Sequence, residues 1–186
     1  MALKATIFKI ALQIADMDRG YYGEHALTIA RHPSETDERM MVRVLAYALH
    51  AGERLAFGRG LSDDDEPDVW EKDLTGAIET WIDVGLPDEK RIRKAAGRSA
   101  RVHVYSYGAP HAAALWWEQV SPRIEKARNV SVVRLPSAAT RDLATLVDRT
   151  MHLNCTIQDG QIWLADDVSS VELHPEILKA DHGAWR

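Results

Sequence analysis

The chain has 186 residues, 46% hydrophobic and 27% charged, the proportions of an ordinary folded domain large enough to bury a core. Its net charge of −5 argues against a simple electrostatic nucleic-acid binder, and a single cysteine, Cys155, excludes an intramolecular disulfide and any multi-cysteine metal site. No apolar run approaches the roughly 20 residues that cross a bilayer, and the opening residues have no signal-peptide h-region, so a cytoplasmic protein without membrane contact, one domain over 1–186, is expected.

The first segment, Leu3 to Met17, alternates. Thr6, Phe8, Ile10, Leu12 and Ile14 fall on one face of a strand, although Ala5, Ile7, Ala11 and Ala15 leave the other face fairly apolar. Asp16–Gly20 supplies a turn, and a second strand over about Tyr21 to Arg31 is expected to pair with the first as a hairpin. A helix follows, with Ser34 as N-cap after Pro33 and Asp37 at the capping-box position. Met41, Leu45, Ala48 and Leu49 recur at helical spacing until Ala51-Gly52 ends the run.

A short strand over about Arg54 to Arg59 leads into the acidic stretch Asp63–Asp68. After Val69-Trp70 comes a strong strand, Ile78–Val84, broken by Gly85-Leu86-Pro87. Pro87 at the first helical position, with Asp88 and Glu89 in the first turn, opens a basic helix through about Ala96. Strand 101–107, helix 111–127, strand 130–135 and helix 138–148 then alternate, and a hairpin closes the core, 151–158 turning at Asp159-Gly160 into 161–165. This order predicts an α/β (α+β) domain with a mixed sheet flanked by helices, an N-terminal β-hairpin, and a loosely held tail over 178–186.

Pro67-Asp68 precedes Asp83 by a hairpin's length, and Ile82-Asp83-Val84-Gly85 places an acid between apolar strand residues. Two carboxylates on neighbouring strands suit a hard cation such as Mg²⁺, which polarises a phosphate and generates a hydroxide nucleophile; a lysine on the same face would orient it. The pattern resembles the PD-(D/E)xK nuclease motif, except that Gly85 stands where the lysine belongs. The literal match Pro87-Asp88-Glu89-Lys90 reads simply as a helix start.

Longer blocks resemble the YaeQ family: the opening Met1–Ile7, Ala30–Thr36, Glu38-Arg39-Met40-Met41, Arg59-Gly60-Leu61, Asp64-Asp65-Glu66-Pro67, Trp81-Ile82, Gly85–Glu89, Asp148–Met151 and Thr156–Gly160. The resemblance spans roughly residues 1–167. It implies a restriction-endonuclease-like core and a candidate site of Glu38, Asp68, Asp83 and a base from the Lys90–Lys94 helix, with Lys94 and Arg91 matching the family pattern better than Lys90. On that basis Asp68, Asp83 and Glu38 would hold Mg²⁺ and Lys94 would orient the nucleophile of a nuclease or phosphodiesterase acting on nucleic acid.

Each residue also has a plainer role. Glu38 sits where a helix dipole favours an acid, Asp68 ends an acidic loop, and most of Lys90, Arg91, Arg93, Lys94 and Arg98 would line a solvated helix face. Asp83 interrupts an apolar strand and, if buried, needs a cationic partner. Loss of the strand lysine and the acidic net charge therefore favour a second reading: a catalytically degenerate nuclease fold that binds a protein partner, its acids and bases forming an ion-pair network. The histidines show no ligand spacing, and there is no nucleophile elbow, Walker loop or dinucleotide fingerprint.

Overall fold

The computed structural model describes residues 4–59, 61 and 63–182. Two mixed sheets form around a central helix. The first contains β1 (Thr6–Asp16), β2 (Tyr21–Arg31), β8 (Thr150–Gln158), β9 (Gln161–Ala165) and β10 (Ser170–Leu173), in the order β10-β9-β8-β1-β2. The second contains β3 (Leu55–Phe57), β4 (Val69–Lys72), β5 (Ile78–Val84), β6 (Ser99–Ser106), β7 (Val130–Arg134) and β11 (Glu176–Lys179), in the order β11-β7-β6-β5-β4-β3. The expected hairpin is present: β1 and β2 pair antiparallel from Thr6↔Arg31 to Asp16↔Tyr21 without a register shift, and β8 joins β1 in parallel.

The alternation in β1 has the consequence read from it. Phe8, Ile10, Leu12 and Ile14 are buried, while Ile7, Lys9, Ala11 and Gln13 face outward. Helix α1 (Asp37–His50) is buried all round from Met40 to Leu49, which is the signature of a helix inside a protein rather than on its surface. It packs in one apolar cluster with the inner face of the first sheet and with Ile82, Val84, Tyr105 and Val133 of the second. On the other face of the second sheet, Trp81, Val102, Val104, Val130 and Val132 pack against helices α2 (Glu89–Arg98) and α3 (Pro110–Ile124). A short helix α4 (Ser137–Leu143), extended by a 3₁₀ turn over Ala144–Leu146, packs on α1. Among the described residues no helix is long and apolar enough to cross a membrane.

Several boundaries differ from those expected. Thr36, not Ser34, caps α1: its Oγ1 accepts the Arg39 N–H at 3.1 Å, whereas Ser34 turns back to hydrogen-bond the His32 ring. Thr36→Ala is expected to cost about 1 kcal/mol of stability by freeing that N–H, measurable as a lower urea midpoint at unchanged slope. Pro87 lies outside α2, where Asp88 is the cap and accepts the Arg91 N–H at 2.8 Å. The expected helix over 138–148 is shorter, and the expected loose tail begins within β11, whose end at Leu178-Lys179 lies antiparallel on β7, and continues to a buried Asp181. Lys179 fastens this strand by donating to the Ala127 and Val130 carbonyls at 2.7 and 2.9 Å. Positions 183–186 of the expected tail lie outside the described residues.

Candidate functional site

The antiparallel β4–β5 pair brings Asp68 and Asp83 together. Val69 pairs with Ile82, and the Asp68 N–H also reaches the Ile82 carbonyl at 3.1 Å, so the regular register is lost at Asp68 and the start of β4 lies against the Ile82-Asp83 segment. Both aspartates are nearly fully buried, 3% and 2% exposed, which demands partners for four carboxylate oxygens.

The partners are arginines. Arg91 of α2 grips Asp83 in a fork, Nε to Oδ2 and Nη2 to Oδ1, both at 2.8 Å. Asp68 receives the Arg39 Nη2 from α1 on Oδ1 and the Val84 backbone N–H on Oδ2, again both at 2.8 Å. The two carboxylates thus answer to helices on opposite faces of the second sheet. Burial raises the Asp68 carboxyl above its ordinary range, opposed by the Arg39 charge and reinforced by Asp83.

Arg39 links this pair to a second, deeper one. Its Nη1 donates to Glu35 Oε1 at 2.9 Å, and Glu35 also takes a fork from Arg43, Nε to Oε1 and Nη2 to Oε2 at 2.8 Å. The Glu35 and Arg43 side chains are 0% and 1% exposed. The hydroxyl of Tyr107, just past β6, is pushed up to about 12 by burial, with Arg39 opposing and Glu38, Asp68 and Glu35 adding to the rise. Glu38 has its own hydrogen-bond partner: its Oε1 accepts the Thr140 hydroxyl at 2.7 Å, beside a cleft of about 290 Å³ shared with Gly108, Pro110 and Arg141. Lys94 turns away to Asp65.

The structure therefore brings Asp68 and Asp83 side by side, and it places Glu38 and Lys94 with other partners. Glu35, Arg39, Arg43, Tyr107 and Thr140 were not among the residues singled out from the sequence for the site. A signal for three of them was present: Glu35, Arg39 and Arg43 follow at intervals of four, and Arg43 interrupts the apolar run Met40–Leu49. A magnesium ion does not fit this arrangement. All four oxygens of Asp68 and Asp83 already accept hydrogen bonds, three of them from guanidinium groups whose charge would repel a dication. Among the described residues no three acidic, histidine or cysteine side chains converge for a metal.

The position of the absent lysine has its own conformation. Gly85 has φ +99°, which residues with a side chain rarely adopt, and its N–H is bonded to the Tyr105 carbonyl at 2.9 Å. A lysine there would be strained in this backbone.

The family model described as YaeQ protein matches residues 1–175. The chain belongs to the YaeQ family. It is 47% identical over 174 residues to the "Uncharacterized protein YaeQ" of Escherichia coli K12, covering 94% of this chain and 96% of that one. The Salmonella typhi protein of the same name is 47% identical over 173 residues, 93% of this chain and 95% of its own. The fold matches the crystal structure of a YaeQ protein from Xanthomonas axonopodis pv. citri with a TM-score of 0.92 and 50% identity, over 95% of this chain and 99% of that one. The YaeQ protein of Pseudomonas syringae superimposes with a TM-score of 0.91 at 40% identity, over 96% and 98% of the two chains.

Proposed function

We propose that this YaeQ-family chain is a binding module built on a nuclease-like sheet and that its acidic centre is structural. The observation that carries this reading is the arginine on each aspartate: Arg91 on Asp83 and Arg39 on Asp68 stand where a metal-dependent hydrolase needs a cation with open coordination sites. The constrained Gly85 backbone supports it, because the usual source of the catalytic lysine is closed.

The partner on this reading is a protein rather than nucleic acid. Helix α2 carries the basic run, but its own acidic loop covers part of it. Lys94 pairs with Asp65, Arg98 approaches Asp65 at 3.8 Å, and Arg91 donates to the Asp64 and Glu66 carbonyls at 3.1 and 2.9 Å. Phosphates would have to compete with carboxylates already in place, in a chain of net charge −5.

Calorimetric titration of Mg²⁺ and Mn²⁺ into the wild type and Asp83→Ala tests the reading. The expected result is no saturable binding to the wild type at millimolar metal. Stoichiometric binding that vanishes in Asp83→Ala, with metal-dependent cleavage of an oligonucleotide by the wild type alone, would overturn it.

A further inference from the structure

The longest open sheet edge among the described residues is β2, eleven residues from Tyr21 to Arg31. The other edges, β10, β11 and β3, have four, four and three residues. An exposed edge carries a row of unpaired backbone donors and acceptors, and monomeric proteins commonly blunt it with lysine, proline, bulges or short length. None of these devices occurs in β2: it contains neither lysine nor proline, and its ladder to β1 has no shift.

The direction of its free groups follows from the neighbouring ladder. Lys9 and Met17 of the β1 segment donate to the Arg149 and Ile157 carbonyls at 3.0 and 2.9 Å, so the odd-numbered residues there bond toward β8. The even ones bond β2, and their partners are its odd residues. Tyr22, Glu24, Ala26, Thr28 and Ala30 therefore direct their N–H and C=O groups away from the sheet. The Ala30 carbonyl is engaged, receiving Arg43 Nη2 at 2.8 Å, which agrees with this assignment. Along the same edge Tyr21 and Leu27 are half-buried against the core cluster, so its apolar side is left unfinished there.

We propose that two copies of this chain pair antiparallel through β2 about a two-fold axis at Ala26, joining their five-stranded sheets into one. An isologous pairing of this kind requires each outward residue to meet an outward residue, which holds when the axis passes through an even position or between two of them. Charge then selects the register. With the axis at Ala26, Ala26 meets its own copy, Tyr22 meets Ala30 and Glu24 meets Thr28, whose hydroxyl suits a carboxylate; on the inner face Tyr21 meets Arg31, Gly23 meets Ile29 and His25 meets Leu27. A large side chain opposes a small one at both ends, and no like charges oppose. Moving the axis to His25 would set the two Glu24 carboxylates on a close diagonal of one face, a repulsive arrangement. Because Arg43 already holds the Ala30 carbonyl, the free shared edge runs over positions 23–29, on the order of 25 Å at about 3.4 Å per residue, and side chains on both faces add to it toward the roughly 1,000 Å² a specific contact needs. The inference rests on the strand alone and is independent of how the acidic centre is read.

Sedimentation equilibrium of the wild type, Ala26→Lys and Thr28→Pro tests it. Ala26 and Thr28 are exposed, so Ala26→Lys is expected to keep the wild-type circular dichroism while facing its own copy across the axis. Thr28→Pro removes one outward donor. The wild type is expected at twice the 20.9 kDa chain mass, with self-association at least about tenfold weaker in both variants. A wild type that stays monomeric at hundreds of micromolar, including one that instead takes up an extended peptide, would overturn the pairing. A dimer untouched by either substitution would overturn it equally.

Discussion

Glu35→Ala is expected to lower the unfolding free energy by about 3–5 kcal/mol, the range found when one member of a buried ion pair is removed. Arg43 would lose both arms of its fork, and its guanidinium, 1% exposed in the middle of α1, would keep only the Ala30 carbonyl. Arg39 would also lose one of its two carboxylates and hold Asp68 alone. The cost arises from the stranded charge, because the pair itself gains little over apolar residues of the same size once desolvation is counted. The double replacement Glu35→Leu with Arg43→Met should therefore recover most of the loss. Urea unfolding of the three proteins decides the matter: a single-variant loss below about 1 kcal/mol would mean that water or another acceptor reaches Arg43, and that the network is not the closed structural unit described here.

That network also shows where the sequence was readable. The pattern in β1, the limits of β2 and β5, and the β8–β9 hairpin rest on local alternation and turn chemistry, and the expected segments coincide closely with the observed strands. The division into two sheets was not legible, because the β1–β8 contact joins residues about 140 apart and no local pattern encodes it. The cap of α1 was misplaced for a related reason. Pro33-Ser34 form a turn closed by the Glu35 N–H on the His32 carbonyl at 2.8 Å, Glu35 is drawn inward to Arg43, and the helix starts only after Thr36, a choice set by contacts that exist once the core has formed. β11 is not legible in the sequence because a four-residue edge strand has too few positions for a periodicity to appear.

At the candidate site, the pairing of Asp68 with Asp83 was legible from spacing, and so was the need of a buried Asp83 for a cation. The identity of the cation was not. Lys94 and Arg91 differ by three positions on one helix and therefore project close together, but Arg91 leans toward the sheet and the backbone carbonyls of the acidic loop, while Lys94 meets the loop's outer carboxylate. A planar guanidinium can satisfy two carboxylate oxygens and two carbonyls at once, which an ammonium cannot match. Arginine selection at both aspartates, Arg91 from α2 and Arg39 from α1, is thus a geometric outcome of packing, invisible in a count of positive residues along the chain.

Stability is expected to fall by about 3 kcal/mol as pH drops from about 6.5 to about 4 through His103, which packs on His50 of α1 and sits on β6, the strand beside Asp83. His103 is 5% exposed, its Nδ1 is 2.6 Å from Ser131 Oγ, and its ring lies 4.3 Å from that of His50, whose Nε2 is 2.6 Å from the Tyr105 hydroxyl. Burial lowers His103 to about 4, with Asp181 opposing and Arg101 adding to the drop. Burial likewise holds His50 well below its ordinary value, reinforced by His103, Arg19 and Arg101. Above the ordinary histidine value both folded and unfolded chains are neutral at these positions, and the pair has no effect on the pH slope. Below it the unfolded chain takes up protons that the folded one refuses, so stability falls until His103 itself protonates near 4. Asp68, raised by burial, acts in the opposite sense as acid is added, which makes a comparison of variants necessary. His103→Gln should flatten the slope of unfolding free energy against pH in that window while leaving the contribution of Asp68 in place. An unchanged slope in that variant would show that His103 is not the group that senses acid, and that water already reaches it in the folded chain.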